Sequence, residues 1–443
     1  MKMTSRFALV AAAGILLGAA VTPAKAADLG GGCCADLEER VAELEATTAR
    51  KGNRVVSLQV YGQVNKALLI WDDGIDSDAF IVDNDASSSR FGFSGNAKIK
   101  PGWTAGFKIE AEVDSAASNT VGQEGDVADA LGSNGDDGAR ETALNVRRVE
   151  SWIESEKFGR VSIGLISGAV DDIGIIDLAG TSGNSQDNYY NTGFLVRTDD
   201  SGTEEESFFA TNDDIEGGIF WGDIAPSLDR GREDAIRYDS PSIYGFIVSA
   251  AWGEDDYWDV ALRFKKEWNS IRIAAGIGYM DDDDINGEDN RESIRGSISV
   301  MHVPTGIYGN FAAYDESVED SAGDKTEDDG QYYYFALGIA KNWTGYGNTI
   351  IYGEYGNYQD FGTGLAVNTD DGGNVDGDIL SGSEVDFYGF GVEQKFDSAA
   401  LSVYANFKYY EADLAFTDTD GAGNENTEAE DFFAVLLGTK ISF

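Results

Sequence analysis

From Val55 to the last residue, apolar and polar positions alternate with a period of two. Leu58, Val60 and Val64 alternate with Gln59, Tyr61, Gln63 and Asn65. Phe91, Phe93, Ala97 and Ile99 alternate with Arg90, Ser94, Asn96 and Lys98, and Phe107, Ile109, Ala111 and Val113 with Lys108, Glu110 and Glu112. Apolar rows of the same period run through Ile271–Tyr279, Leu401–Tyr409 and Phe433–Phe443. Successive side chains of a strand point to opposite faces, so each row predicts a strand with one apolar face. The pattern predicts sixteen strands, at 55–71, 89–99, 104–115, 143–155, 159–167, 233–239, 244–251, 258–267, 270–280, 292–300, 305–314, 331–341, 346–356, 384–395, 399–410 and 431–443. Most are about ten residues long, the length of a tilted membrane strand.

The connections alternate in length. Lys100–Gly102, Glu156–Phe158, Ser240–Ser242, Val303–Pro304 and Phe396–Ser398 are tight turns. The intervening ones, such as 72–88, 116–142, 281–291, 315–330, 357–383 and 411–430, are mostly long, acidic and rich in Gly, Asp, Asn and Ser. Soluble sandwiches have no reason to sort loop length by side. Outer-membrane barrels do sort it, and an even strand count closes such a barrel without a free edge. Trp103, Phe158, Tyr244, Trp268, Trp343 and Tyr346 sit beside turns, where amphipathic rings meet the headgroup level.

The first 54 residues follow another pattern. Lys2 and Arg6 precede an apolar run, Phe7–Val21, and Ala24-Lys25-Ala26 is a cleavage-type ending, so 1–26 reads as a secretory signal. Residues 27–54 read as a linker with a short amphipathic helix. Leu37, Val41 and Leu44 form one stripe across 36–48, too short to be stable alone and open to a coiled coil or a docking contact. Cys33 and Cys34 stand just ahead of it. They make no framework for a large fold; interchain, vicinal and free states all remain open.

Charge narrows the chemistry. Lys and Arg number 32 against 79 Asp and Glu, a formal net charge of -47. That sign excludes phosphate-backbone binding, so no nucleic-acid partner is expected. A single histidine, His302, falls beside Pro304 in an expected turn. It leaves little room for imidazole catalysis or His-based zinc binding, and an enzyme is not expected. Acidic runs such as Asp281–Asp284 lack the order of a calcium loop. At most they bind Ca or Mg loosely or bridge to lipopolysaccharide; no cofactor is otherwise expected.

The leader, the 36–54 stretch followed by Val55-Val56-Ser57-Leu58-Gln59-Val60-Tyr61-Gly62, the Ser89-Arg90-Phe91-Gly92-Phe93 opening and the terminal Ile441-Ser442-Phe443 carry a resemblance. The chain resembles the alphaproteobacterial (Rhizobiales-type) general outer-membrane porins along its whole mature length. The resemblance implies a 16-stranded antiparallel transmembrane β-barrel, a homotrimer and passive diffusion of small hydrophilic solutes and ions. It also implies a third external loop folded into the lumen. That loop corresponds to 168–232, the longest gap between strands, which carries Asp171, Asp172, Asp177 and Asp187 beside Ile173, Ile176, Phe194, Ile219 and Trp221.

By strand register, Arg90, Lys98, Lys108, Glu110, Arg237, Arg263, Arg272 and Arg295 face inward as pore-lining candidates, with the loop acids opposite them. Opposed charges would set a transverse field and disfavour apolar solutes. Arg147 and Arg148 are adjacent, so a regular strand lets only one face inward. The alternatives are a substrate-specific channel, or a porin with an added envelope-anchoring role through the 36–48 helix and a periplasmic contact.

Overall fold

A computed structural model describes residues 56–123, 125–126, 143–181, 192–197, 219–228, 231–254, 256–285, 289–320, 329–365, 379–417 and 424–443. The readings made for 1–54, including the leader, both cysteines and the 36–48 helix, lie outside them, as does Asp187.

The described chain is almost wholly strand: β1 (Gln59–Asp72), β2 (Ser77–Asp83), β3 (Arg90–Lys100), β4 (Trp103–Asp114), β5 (Val121–Gly122), β6 (Gly125–Asp126), β7 (Ala143–Ser155), β8 (Gly159–Ser167), β9 (Arg232–Asp239), β10 (Phe246–Gly253), β11 (Trp258–Trp268), β12 (Ile271–Ile285), β13 (Asp289–His302), β14 (Ile307–Asp320), β15 (Gly330–Lys341), β16 (Thr349–Gln359), β17 (Ile379–Phe396), β18 (Leu401–Thr417), β19 (Asn424–Glu428) and β20 (Phe432–Ser442). A one-turn helix, α1 (Trp221–Ile224), lies in the connection from β8 to β9. Strands β5 and β6 form a separate small hairpin; the other 18 join one sheet.

Two pairs of segments share a single place in that sheet. Both β2 and β3 pair with β1, at Lys66–Asp72 and Gln59–Gln63 respectively. Likewise β19 and β20 pair with successive stretches of β18. The sheet is therefore a closed, antiparallel barrel of sixteen staves. Closure is made by β1 against β20, with Val64 opposite Ile441. Beyond the last paired strand residue, Gly62 and Phe443 exchange both backbone hydrogen bonds at 3.0 Å.

The expected strands are present, with longer upper ends. Asp281 and Asp282, expected in a loop, lie on β12 and pair with Glu292 and Arg291 of β13. Segments β2 and β19 fall within 72–88 and 411–430, which the acidic, Gly/Asp/Asn/Ser-rich composition marks as loop; the chain there is strand instead. At the short-turn end, Asn269 and Ser270 both take positive φ between the paired Trp268 and Ile271. That is the backbone of a two-residue hairpin whose twist matches its strands.

The apolar rows face outward. Phe335 and Leu337 are 54% and 59% exposed, while the alternating Tyr334 and Ala336 are buried. This is an inverted core: apolar side chains turned away from the enclosed space suit lipid, not water. No helix among the described residues is long and apolar enough to cross a membrane, so crossing falls to strands, whose backbone groups are all paired on closure. On the inner face, glycines seat neighbouring rings. A Cβ on Gly391 would come within 2.2 Å of the Tyr352 ring, and one on Gly356 within 2.0 Å of Phe387.

Candidate pore-lining site

The inner rows of β3, β4, β7, β8, β9 and β11 bring opposite charges together. On β4, Glu110 takes Lys108 at 3.2 Å, Arg147 Nε at 3.0 Å and the Tyr61 hydroxyl at 2.9 Å. Arg147 also reaches Glu112 at 3.0 Å, and Arg90 is registered opposite Glu112. Arg148 reaches Glu150 at 3.9 Å and Asp171 at 3.6 Å. Arg160 lies 4.0 Å over the Trp152 ring and 3.4 Å from Glu150. Further round, Arg237 pairs with Asp239 at 2.8 Å and donates to the Gly168 carbonyl at 2.6 Å. Arg263 donates to the Asp171 carbonyl at 2.7 Å and to Ser249. Part of this cluster surrounds a cavity of about 410 Å³.

Both Arg147 and Arg148 face inward, which a regular strand does not permit. The pairing of β4 with β7 passes from Glu110–Arg148 to Ala111–Val146, so Arg147 has no opposite number. It is the extra residue of a β-bulge, and a bulge re-aims one side chain without disturbing the flanking register. The alternating pattern carries no mark of it. Glu150, Arg160 and Asp239 were also absent from the expected set, although the two-residue period places each on the polar row.

The segment after β8 runs along the same inner rows. Val170 N donates to Asp259 at 2.9 Å, Ile176 N to Ser297 at 3.2 Å and Leu178 N to Ser299 at 3.0 Å. Ser297 bonds the Ile173 carbonyl, and Lys395 the Gly180 carbonyl. Ile173 and Ile176 rest on Gly276. Small inner residues on β12 and hydroxyls on β13 thus give the segment an apolar seat and partners for its backbone groups. Asp172 sits at φ 61°, a left-handed turn that Asp tolerates. Burial, and then the neighbouring Asp171 charge, hold the Asp172 carboxyl above the ordinary carboxylate range.

The limb returning to β9 packs differently. Phe194, Val196, Ile219, Trp221 and Ile224 join Leu69, Trp71, Phe387, Tyr410 and Phe432 in one buried cluster. Phe194 lies 5.0 Å from both the Trp71 and Phe432 rings. Arg197 clamps this limb to the β1–β2 turn, with Nε 2.8 Å from Asp73, both side chains being nearly inaccessible. Gln123 adds bonds to Asp73 and to both backbone groups of Leu195.

The remaining candidates are dispersed. Lys98 is exposed near the short-turn end, and Arg272 there pairs with Glu267 at 2.9 Å. Arg295 is 3% exposed and donates to the Leu228 carbonyl at 2.7 Å, away from the charged cluster. Asp177 accepts from Ala179 N, Thr181 N and Asn310. Asp171 lies against Arg148 and Arg263, not across an open gap from them. His302 holds Thr305 at 2.8 Å beside a tight turn. No group of three or more His, Cys, Asp or Glu among the described residues is arranged to hold a metal.

A closed sixteen-stave barrel with a lipid-facing apolar exterior and a charged interior is the form of an outer-membrane pore. The Gram-negative porin family profile matches residues 8–415, and the chain belongs to that family; its place is the outer membrane and its function is diffusion through a pore. Solved structures show the same fold. An anion-selective porin from Comamonas acidovorans aligns over 88% of this chain and 100% of its own, with a TM-score of 0.52 at 15% identity. OmpT of Vibrio cholerae aligns over 89% and 99%, with 0.51 at 14%. No curated protein matches the chain by sequence.

Proposed function

We propose that the pore passes small hydrophilic solutes and ions passively, with 168–232 as its constriction and the charged inner rows as its lining. The observation that carries this reading is the chain of hydrogen bonds tying Val170, Ile176 and Leu178 to inner-row Asp259, Ser297 and Ser299. A loop held against the inside wall narrows the space that solutes cross. Transport then makes and breaks no covalent bond, and passage depends on size, hydration and charge. The acidic surplus favours cations as a tendency, while Arg148, Arg160 and Arg263 keep anions from being excluded.

A homotrimer completes the proposal. OmpT of Vibrio cholerae is recorded in a trimer form, and the exposed outer rows of this barrel are apolar enough to meet either lipid or a second copy. The test is conductance in planar bilayers. Removing 171–178 should raise single-channel conductance severalfold while steps in multiples of three persist. Unchanged conductance would remove the constriction from the proposal.

A further inference from the structure

A second cavity lies at the long-loop end, under the returning limb. It has a volume of about 300 Å³ and shares no lining residue with the charged cluster. Its walls come from α1 and the residues after it, from β12–β14 and from the turn after β16. Arg295 crosses it at depth. One guanidinium nitrogen anchors Leu228, another donates to Ser293 at 2.9 Å, and the group stacks 4.7 Å over the Tyr314 ring. The Tyr314 hydroxyl donates to Glu316 at 2.6 Å, and its ring stacks on Phe361.

Three buried groups around this one space have no hydrogen-bond partner: Arg291 Nε, Arg295 Nε and Ser227 Oγ. Two are cationic donors and the third is a hydroxyl. Arg291 does approach Glu316, at 3.7 Å, beyond hydrogen-bond distance. Buried donors left unmet are costly, and a charged acceptor meets them best. Glu316 is already committed to Tyr314 and Arg291. Burial holds the other carboxyl, Asp223, above the ordinary carboxylate range, and that carboxyl accepts from Phe220 N at 2.8 Å. Tyr314 and Phe361 add aromatic surface to the same wall.

We propose that this cavity is a binding subsite for a single-ring sugar acid, its carboxylate meeting Arg291 and Arg295 and its hydroxyls meeting Ser227. A volume near 300 Å³ is at the small end of ligand sites, which suits one six-membered sugar ring and not an oligosaccharide. The proposal rests on the pore reading and adds a solute class to it. The subsite raises local solute concentration at the mouth, and binding stays weak enough to release inward.

Planar-bilayer recordings of the full chain in KCl test it, with glucuronate, glucose and inorganic phosphate as probes. Glucuronate added on the long-loop side should reduce the current saturably, and glucose or phosphate at equal concentration should not. Each current is normalised to that variant's own KCl current. R291Q should raise the half-saturating glucuronate concentration by about tenfold or more, the loss expected for a charge-assisted contact. S227A should raise it by a smaller factor, and R291K should restore part of it. Reduction that grows without saturating, equal reduction by glucose or phosphate, or an unchanged half-saturation in R291Q would each overturn the proposal. Absence of any KCl current in the wild-type protein would instead remove the pore reading beneath it.

Discussion

Half-way round the barrel from one another, the inner rows differ in chemistry and in wetness. On β4, β7 and β8, the side chains of Arg147, Arg148, Lys108 and Arg160 keep between 17% and 32% of their surface in solvent. On β15–β18, Tyr334, Tyr358 and Tyr410 are almost wholly buried. Ion pairs on a wall keep more of their net attraction where water still reaches them, because desolvation offsets it. Phenols and phenyls have the opposite preference, so the apolar limb carrying Phe194 and Trp221 seals against them. The barrel thus keeps one side wet and fills the other.

Breaking the filled side should cost most. Trp221→Ala removes a ring in contact with Tyr410 and Phe432 at 5.8 Å, and should lower barrel stability by about 3–5 kcal/mol, read from unfolding in detergent. A loss under about 1 kcal/mol would mean that the limb is not held by this cluster. Arg197→Met leaves the buried Asp73 carboxylate without its paired cation, at a cost of about 3 kcal/mol. Adding Asp73→Asn should recover much of it. If the double variant is as unstable as the single, the clamp is not electrostatic.

A matched pair of smaller changes sharpens the contrast. Tyr334→Phe removes a buried donor 2.9 Å from Glu354 and should cost about 1–2 kcal/mol. Arg160→Gln on the wet side removes a partly solvated pair and should cost about 0–1 kcal/mol. The reverse order would refute the division into wet and filled sides.

The least effect is expected from titration. Asp172 has its folded-state pKa above the ordinary 3.8. Its contribution to stability is therefore fullest in acid and is lost as pH rises through that raised value. Its negative charge in the lumen appears only above the same value. Cation preference, read from reversal potential, should fall on acidification at a higher pH than for a free carboxylate. Asp172→Asn should lack that step; persistence of the step would assign it to another group.

Most of the barrel was legible because a two-residue period states both strand and face. The breaks were not. Asp83 looks like a loop acid, yet it ends β2 by accepting from Lys66, Ser115 and Ser89, contacts set by distant chain. The inner row is not polar throughout: Gln331–Lys341 is apolar on both faces, and its inner tyrosines read as ordinary strand residues. Of the charged cluster, Arg90, Lys108, Glu110, Arg237 and Arg263 lie on the rows that parity marks as inward. Arg147 was half seen, since a bulge has no composition of its own. Arg197 with Asp73 was missed because neither lies on a patterned row.

At Arg147, chain length and strand pairing are uncoupled. Deleting that residue joins Val146 to Arg148, and Ala111 and Glu110 already face them in unbroken order. One codon lost there would take a unit of positive charge from the lining and free Glu110 and Glu112 of their Arg147 contacts, with the flanking strand register kept. Elsewhere on β7 the same deletion would turn the lipid face inward. The bulge is thus a point at which the charge of the lining can change by one residue without rebuilding the wall.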